Sequence, residues 1–389
     1  MRIQHVVVSL DPAQGGPPVV ALRIAAAQAS AGHDSGIVSH GAPGKESEIA
    51  ASLRGIPDIG RVNVTTVPPG LTWGALVPRA TSRRLRDIMA GSDVVHLHGV
   101  WEPLVWHASV LARRLGITYV ITPHGMLDPW SLGQKRLKKR MALLLAYRSM
   151  LRQAGCLHLL NRDEAELIEP LKLGTPVQVI PNGVFLEEIS PLPAAGSFHA
   201  NHPELNGEPY VLFLGRLHFK KGLDVLAEAF TKIAAIEKRL RLVVAGPDGG
   251  AKAEFEQRIR QARLIDRVHV VGSLYGTEKF AAMVDARAFC LPSRQEGFSM
   301  AITEAMASGC PVVVSEACHF PEVAEVGAGK IVPLDSDAVA AALRDVLFDE
   351  GARKRMGEAG RALVMSRFTW PAIAEQTLDM YKRAVGART

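Results

Sequence analysis

Cysteine is scarce in this sequence of 389 residues. The four cysteines, Cys156, Cys290, Cys310 and Cys318, show no CxxC spacing. This pattern excludes a disulfide framework and a zinc knuckle, and it is typical of a reducing compartment. We therefore expect the four thiols to be core residues.

Long apolar stretches are also missing. Met141–Tyr147 runs for only seven residues, and Gly15–Gly32 is interrupted by Arg23 and Gln28, whereas a membrane span needs about 18 residues. The first residues, Met1–Pro12, predict a strand rather than a signal peptide. We expect a cytoplasmic protein without a spanning helix.

Charge of one sign is in small excess. Lys and Arg total 45 against 39 Asp and Glu, a formal net charge of +6, which permits contact with phosphates without requiring it. No basic patch interleaved with aromatic residues is present, so we expect no nucleic-acid partner. The first predicted strand is followed by Gly15-Gly16-Pro17 rather than GxGxxG, which argues against a redox Rossmann enzyme.

Short β-branched runs alternate with helical patterns, which predicts an α/β fold of parallel sheets covered by helices. A Pro-rich stretch at 191–208 predicts a linker between an N-terminal domain, residues 1–190, and a C-terminal domain, residues 209–371. Helices are expected at Gly222–Arg239 and at Asn161–Leu171, the latter with a start like a capping box. The predicted strands are Ile3–Leu10, Val94–Leu97, Tyr119–Thr122, Val177–Ile180, Tyr210–Leu214, Arg241–Ala245, Val268–Val271, Phe289–Pro292 and Pro311–Ser315.

The loops after the strands are the expected ligand positions, because open α/β sheets bind ligands beyond the carboxyl ends of their strands. One such loop carries Gly215, Arg216 and Lys221 before a helix that starts near Gly222. Cations beside a helix N-terminus form an anion site, and an arginine can bind two phosphate oxygens at once. The alternative is a solvated loop with ordinary surface charges.

A second loop carries two carboxylates, Glu296 and Glu304, eight residues apart. Ser299 is the expected N-cap of a helix over Met300–Ser308, which places Glu304 about one turn into that helix. Carboxylates can accept hydrogen bonds from vicinal hydroxyls, and the free N–H groups of residues 298–300 favour an anion. Together these groups suit a polyol joined to a phosphate, and the alternative is a pair of carboxylates that complement the helix dipole.

Four histidines lie in or after predicted strands. We expect His5 to be satisfied within its strand, and His96 and His98 to face opposite sides of theirs. His98 and His124 are then the candidates for a ligand cleft between two domains, although a residue such as His124, taken alone, is more often a structural loop histidine. Asp335-Ser336-Asp337 matches the DxD triplet of metal-dependent transferases, but a helical segment follows it and predicts Asp337 as an N-cap.

The chain resembles the family 4 (group 1) glycosyltransferases, retaining enzymes with the GT-B fold of two facing Rossmann-like domains. The resemblance covers almost the whole chain in the family's order, and its C-terminal half is the more specific. The motifs that carry it are Gly15-Gly16, the run Thr122–Trp130, Ile180-Pro181-Asn182-Gly183-Val184, Gly215-Arg216 with Lys221-Gly222, the pair Glu296 and Glu304, Glu304–Gly309 followed by Pro311-Val312-Val313, and Phe368-Thr369-Trp370.

This resemblance implies a role for each matching residue. Arg216 and Lys221 would bind the donor diphosphate, and Glu304 would hold the ribose hydroxyls of the nucleotide. Glu296 would contact the transferred sugar, and His124 would lie near that sugar. The other implied donor-binding residues are Gly16, Gly215, Gly297, Phe298, Ser299 and Met300.

The resemblance also implies the chemistry and the partners. The enzyme would transfer a sugar, with retention at the anomeric carbon, from a nucleotide-diphosphate sugar to a hydroxyl of a glycan or lipid-linked acceptor in bacterial cell-surface polysaccharide synthesis. We expect no metal and no other cofactor. The final helix, 372–389, would cross back to the N-terminal domain.

Two alternatives stay open at this point. The first is another GT-B-like enzyme, such as a nucleotide-sugar 2-epimerase, and the second is a non-catalytic nucleotide-sugar-binding protein. The basic segment 134–148 also has two interpretations. It is either a solvated helix face or a segment that contacts the anionic inner face of the cell membrane.

Overall fold

The computed structural model describes residues 1–11, 16–68, 77–134 and 136–387. The chain divides into two compact units. Unit 1 comprises Met1–Asn182 and Trp370–Thr389, and unit 2 comprises Gly183–Thr369. The chain therefore leaves unit 1, forms unit 2 and returns to unit 1 with its last helix.

Unit 1 contains a parallel sheet with the strand order β3-β2-β1-β4-β5-β6-β7 in the described part of the chain. The central strands are buried on both faces, as their runs of valine and isoleucine favour. In chain order the strands are β1 Arg2–Val7, β2 Asp34–His40, β3 Asn63–Val67, β4 Val94–His98, β5 Thr118–Thr122, β6 Cys156–Leu159 and β7 Val177–Val179.

Helices cover the sheet of unit 1, and the last of them, α18, packs on the first, α1. They are α1 Gly16–Ser30, α2 Glu46–Arg54, α3 Arg79–Met89, α4 Pro103–Arg114, α5 Pro129–Gly133, α6 Arg136–Ala142, α7 Arg148–Arg152, α8 Arg162–Ile168 and α18 Trp370–Gly386, with a π-helical turn at Leu143–Tyr147.

Unit 2 contains a second parallel sheet, with the order β10-β9-β8-β11-β12-β13. Its strands are β8 Tyr210–Leu214, β9 Arg241–Ala245, β10 Val268–Gly272, β11 Ala288–Leu291, β12 Val312–Ser315 and β13 Gly329–Val332. Its helices are α9 Leu186–Ile189, α10 Ser197–Asn201, α11 Leu223–Ile236, α12 Lys252–Gln261, α13 Gly276–Asp285, α14 Met300–Ala307, α15 Glu322–Glu325, α16 Ser336–Phe348 and α17 Glu350–Arg367.

Both sheets reverse their strand order at one point, between β1 and β4 in unit 1 and between β8 and β11 in unit 2. Two neighbouring strands then send their following loops to opposite faces of the sheet, and a crevice opens at their carboxyl ends. The expected ligand positions are therefore the residues that follow β8 and β11 in unit 2, and those that end β4 and follow β5 in unit 1.

The predicted linker differs from the structure. Phe198 and Leu205 lie within 191–208 and are fully buried in the core of unit 2. Asp285 accepts hydrogen bonds from the backbone N–H groups of Gly196 and Phe198, at 2.6 and 2.9 Å, and so fixes the start of α10. The segment belongs to unit 2 because its two apolar side chains pack there despite the surrounding prolines.

The structure corrects one predicted N-cap residue and confirms the position of another. Asp335, not Asp337, caps α16, because its Oδ1 accepts from the N–H groups of Asp337 and Ala338, each at 2.9 Å. Ser299 takes the N-cap position of α14, but its side chain makes no capping hydrogen bond.

Candidate functional site

The turn between β8 and α11 is held in place by Gly222. Its φ is +68°, a conformation that favours glycine, and a Cβ there would lie 1.8 Å from the carbonyl oxygen of Pro292. Since Pro292 follows β11, this close approach brings the loop after β8 against the loop after β11.

Lys221 and Glu296 meet at this contact. Lys221 Nζ lies 2.6 Å from Glu296 Oε1, and Ser293 Oγ donates to the same oxygen at 2.5 Å. Glu296 is nearly buried, with 8% of its side chain exposed, while Lys221 keeps 23%. Lys221 and Glu296, which the sequence places in separate loops, therefore form one ion pair. Ser293, which was not among the predicted site residues, holds the carboxylate of this pair by a hydrogen bond.

A second ion pair supports the same turn. Arg294 donates to both carboxylate oxygens of Asp224, at 2.8 and 2.6 Å, and its guanidinium lies over the ring of Phe219. Burial opposes ionisation of Asp224, but the hydrogen bonds and charge of Arg294 outweigh it and lower the pKa of this carboxyl group. The guanidinium of Arg294 is thus used in bonds within the turn, whereas the ammonium group of Lys221 contacts Glu296.

Arg216 follows β8 directly and is exposed. Its aliphatic stem lies against Gly249, where a Cβ would come within 2.9 Å of Arg216 Cγ. The absence of a side chain at Gly249 makes room for the arginine. Gly215 lies close to Lys221, since a Cβ there would be 3.8 Å from Lys221 Cε.

Glu304 is paired with a lysine that the sequence analysis missed. Lys279, in α13, lies with its Nζ 2.7 Å from Glu304 Oε1. The Glu304 side chain is buried, with 7% exposed, and that of Lys279 is half-buried, with 13% exposed. Glu304 lies one turn into α14, as predicted.

The start of α14 presents backbone donors beside these carboxylates. Among the described residues, none accepts a hydrogen bond from the N–H groups of Phe298, Ser299 or Met300. Phe298 packs its ring near those of Phe320 and Phe368, at centroid distances of 5.2 and 6.2 Å, which anchors the loop to the core. Gly297 is half-buried in the same loop.

A chain of histidines lies at the switch point of unit 1. His5 Nδ1 is 3.0 Å from His98 Nε2, and His98 Nδ1 is 3.1 Å from His124 Nε2. Burial lowers the pKa of His5 to about 4 and that of His124 to about 3, and it lowers the pKa of His98 as well. These rings are therefore neutral at pH 7.

The expectation that His96 and His98 face opposite sides of β4 was wrong. Residues two apart on a strand share a face, and the two rings stack with centroids 4.3 Å apart. Nitrogen atoms of His5, His96 and His98 lie within 4.8 Å of one another. His96 uses both of its nitrogens in hydrogen bonds to Tyr381 and Thr122, at 2.6 and 2.7 Å.

His124 lies in a turn with an uncommon backbone. Its φ is +55°, and Gly125 follows with φ +71°. Glu164 holds this turn, because its buried carboxylate accepts from the N–H of Gly125 and from that of Leu160, both at 2.7 Å. Asn161 caps α8 as predicted, because its Oδ1 accepts from the N–H of Glu164 at 2.7 Å.

Gly16 opens α1 in unit 1, and a Cβ there would meet no atom within 4 Å. Packing against the part of the chain that the structure describes therefore does not require glycine at this position. Gly15 lies outside the described residues.

The comparisons with known proteins agree with this geometry. Residues 15–183 match the family described as "Glycosyl transferase 4-like domain", and residues 196–363 match "Glycosyl transferases group 1". A phosphatidyl-myo-inositol mannosyltransferase from Mycobacterium leprae is 34% identical over 322 residues, which cover 78% of this chain and 77% of the relative. This chain belongs to the group 1 (family 4) glycosyltransferases. A glycogen synthase from Mycobacterium tuberculosis H37Rv is 27% identical over 383 residues, 93% of this chain and 89% of that protein.

Solved structures show that this glycosyltransferase has the GT-B fold. HepE from Anabaena, crystallised with UDP and glucose, has a TM-score of 0.78 at 19% identity and covers 98% of this chain and 99% of its own. Sucrose-phosphate synthase from Thermosynechococcus elongatus has a TM-score of 0.77 at 22% identity, with 99% of both chains covered. Among the described residues, no helix of this glycosyltransferase is long and apolar enough to cross a membrane.

Proposed function

We propose that this glycosyltransferase transfers a sugar from a nucleotide-diphosphate sugar to a hydroxyl of a glycan or lipid-linked acceptor, with retention of the anomeric configuration. The proposed setting is the synthesis of bacterial cell-surface polysaccharide. The observation that carries the proposal is the ion pair of the half-buried Lys221 with the buried Glu296, beside the exposed Arg216, at the carboxyl ends of β8 and β11.

The cations of this site suit a leaving diphosphate. When the bond between the anomeric carbon and the phosphate oxygen breaks, negative charge grows on the diphosphate, and fixed positive groups lower the energy of that state. Arg216 is exposed for two-oxygen contact, and Lys221 is held by Glu296 as a preorganised point charge. The unpaired N–H groups at the start of α14 add further donors.

The carboxylates suit hydroxyl groups. Glu296 Oε1 already accepts from Lys221 and Ser293, while Oε2 accepts from none of the residues that the structure describes. Oε2 is thus the atom of Glu296 for a hydroxyl of the transferred sugar. Glu304, held by Lys279, is the proposed partner of the ribose hydroxyls.

Retention follows from attack on the face that the phosphate leaves. The acceptor oxygen forms a bond to the anomeric carbon as the bond to phosphate breaks, and the hydroxyl proton passes to a phosphate oxygen. Because Lys221 and Ser293 engage Glu296 and little of it is exposed, we assign it to binding rather than to nucleophilic attack. We propose that no metal is required, and full activity after EDTA dialysis is the expected result.

The test begins with the donor. UDP-, GDP-, ADP- and dTDP-sugars are screened by thermal shift, because a ligand at about 100 times its Kd stabilises the protein by about 2.7 kcal/mol. The screen starts from UDP-glucose, since HepE has been crystallised with it. Transfer is then measured with the donor that binds, and product analysis without acceptor detects a 2-epimerase.

Three variants test the assigned residues. Arg216→Ala, Lys221→Met and Glu296→Gln should each lower kcat by about 100-fold, the scale of one lost transition-state donor. The matched control is Lys238→Met, an exposed lysine of unit 2. Wild-type rates in the three site variants would contradict the proposal.

We further propose that the segment 134–148 contacts an anionic membrane from the inner side. Leu137 and Met141 of α6 are exposed apolar side chains, at 77% and 49%, beside the exposed Arg140. Lys139 instead donates to the carbonyl of Ser131 and lies over Trp101, so it does not serve this face.

Vesicle sedimentation tests this contact. Leu137→Ser with Met141→Ser should release the protein from phosphatidylglycerol vesicles, whereas Ile265→Ser, which removes a 52% exposed isoleucine from unit 2, should not. Equal retention of both variants on the vesicles would contradict the membrane proposal. The proposal of sugar transfer to a soluble acceptor would stand.

A further inference from the structure

A continuous hydrogen-bond chain runs from the last helix to His124, and its direction can be followed atom by atom. It starts at Thr377 in α18, whose hydroxyl lies 2.8 Å from the carbonyl oxygen of Ala374. A carbonyl can only accept, so the hydroxyl hydrogen of Thr377 is used there. Thr377 Oγ1 must then accept from Gln28 Nε2, at 3.0 Å.

This contact fixes the amide of Gln28. Its NH₂ group faces Thr377 and also Tyr381, whose hydroxyl lies 3.1 Å away. The phenol oxygen of Tyr381 can accept that bond whichever way its 2.6 Å hydrogen bond to His96 Nδ1 runs. The carbonyl oxygen of Gln28 therefore faces His5 Nε2, at 2.8 Å.

The amide in turn fixes the proton on His5. Gln28 Oε1 can only accept, so His5 Nε2 carries the hydrogen. The ring is neutral at pH 7, since burial lowers the pKa of His5 to about 4. Its Nδ1 is therefore bare and accepts from His98 Nε2 at 3.0 Å.

The same reasoning fixes the tautomers of the next two histidines, His98 and His124. His98 carries its hydrogen on Nε2 and is neutral because burial lowers its pKa, so its Nδ1 is bare. His98 Nδ1 then accepts from His124 Nε2 at 3.1 Å. His124 is left with a bare Nδ1, and no described residue donates to that atom.

We infer that Gln28 is a positioning residue that sets the ring tautomer of His124, through His5 and His98, to the form with hydrogen on Nε2 and a bare Nδ1. His124 can then only accept a hydrogen bond from a ligand. It suits a ligand hydroxyl and does not suit a phosphate oxygen, which has no hydrogen to donate. That the hydroxyl belongs to the donor sugar rests on the proposed function, whereas the tautomer does not.

The tautomers can be measured on the full chain without any ligand. With ¹⁵N-histidine labelling, two-bond ¹H–¹⁵N correlation spectra show which ring nitrogen is protonated in each of the 13 histidines, and His124→Asn assigns the ring in question. We expect His5, His98 and His124 each in the single form with hydrogen on Nε2. A hydrogen on Nδ1 of any of the three overturns the inference.

Gln28→Leu tests the direction of control. It removes the acceptor that faces His5, so a second population with hydrogen on Nδ1 should appear at His5, His98 and His124. The matched control is His158→Leu, which removes a buried imidazole of the same sheet whose hydrogen bond goes to the carbonyl of Ile180, outside the chain from Gln28 to His124. An unchanged pattern in Gln28→Leu overturns the inference, and if this variant does not fold, the wild-type spectrum still decides.

A binding measurement separates positioning from general damage. In Gln28→Leu the KM for the nucleotide sugar should rise up to about tenfold, the scale of one neutral hydrogen bond, while the Kd of the nucleoside diphosphate, which lacks the sugar, should not change. Equal losses for both ligands would show damage and overturn the positioning role. If no nucleotide sugar is a substrate, the proposed function fails while the tautomer result stands.

Discussion

Lys279 shows how much the partner of a buried carboxylate matters in unit 2. Lys279→Met leaves the carboxylate of Glu304 buried without its partner, which should lower the free energy of unfolding by about 3 kcal/mol or more. Adding Glu304→Leu should recover most of that loss. Urea unfolding followed by circular dichroism gives the three values.

A matched pair on the surface provides the control for Lys279. Lys232 and Asp337 are as close, at 2.6 Å, but their side chains are 40% and 81% exposed. Lys232→Met should therefore cost less than about 1 kcal/mol. Equal losses in Lys232→Met and Lys279→Met would show that burial is not what makes the Glu304 pair important.

The sequence predicted the polar groups of the site better than their partners. Arg216, Lys221, Glu296 and Glu304 follow strands or begin a helix, and such positions are visible in one dimension. The partner of Glu304 is 25 residues away on a helix of its own. No periodicity marks such a residue, because tertiary packing alone brings it to the carboxylate.

The turn from β8 to α11 depends on one glycine. Gly222→Ala forces the backbone away from Pro292, where the added Cβ would lie 1.8 Å from the carbonyl oxygen, and it also strains a φ of +68°. We expect a loss of about 2 kcal/mol or more in unfolding free energy. Because this shift would also move Lys221, the neighbour of Gly222, the transfer rate should fall as well.

Gly250→Ala has backbone strain like that of Gly222→Ala but not its steric clash, so a comparison of the two variants separates these effects. Gly250 has a φ of +97° but nothing within 4 Å of an added Cβ. It should cost about 1–2 kcal/mol from backbone strain and leave the transfer rate unchanged. A similar rate in both variants would contradict the role given to the close contact.

Glu164 joins two loops of unit 1, because its carboxylate accepts hydrogen bonds from the turn after β5 and from the loop after β6. Glu164→Gln replaces one carboxylate oxygen by an NH₂ group that faces a backbone N–H, so one donor is left without an acceptor, at a cost of about 1–3 kcal/mol. Glu166→Gln, an exposed change in the same helix, should cost almost nothing. Thermal unfolding of the two variants makes the comparison, and equal Tm values would contradict the assignment.

Strands were predicted where apolar β-branched residues run together. Tyr210–Leu214 and Arg241–Ala245 match β8 and β9 to the residue. The prediction missed β2, β3, β6 and β13, which carry Gly, Ser, Thr, His or Lys among few apolar residues. Their strand conformation comes from the ladders with their neighbours rather than from local preference.

For the whole molecule, the buried histidines predict sensitivity to acid. A histidine whose pKa is lowered by folding binds more protons when unfolded, so stability rises with pH and is lost as pH falls from about 6.5 toward the folded pKa. Burial lowers the pKa of His158 to about 4. At pH 5 this one residue should cost about 2 kcal/mol relative to pH 7 or above.

His158→Leu checks this pH dependence. Between pH 6 and 5, the slope of unfolding free energy against pH should fall by about 1.2 kcal/mol per pH unit in the variant, because the proton that His158 takes up on unfolding is no longer bound. Fluorescence suits the measurement, since Trp101, Trp106, Trp130 and Trp370 belong to unit 1. An unchanged slope would contradict the assigned burial of His158.

The return of the chain to unit 1 has a consequence for synthesis on the ribosome. Gln28 and Tyr381 are 353 residues apart, so at about 5–20 residues per second roughly 20–70 s pass between their translation. Unit 2 is translated completely within that interval. Until Trp370–Gly386 emerges, the nascent chain holds Gln28 and His96 without the helix that satisfies them, so unit 1, although translated first, is the last to reach its final fold.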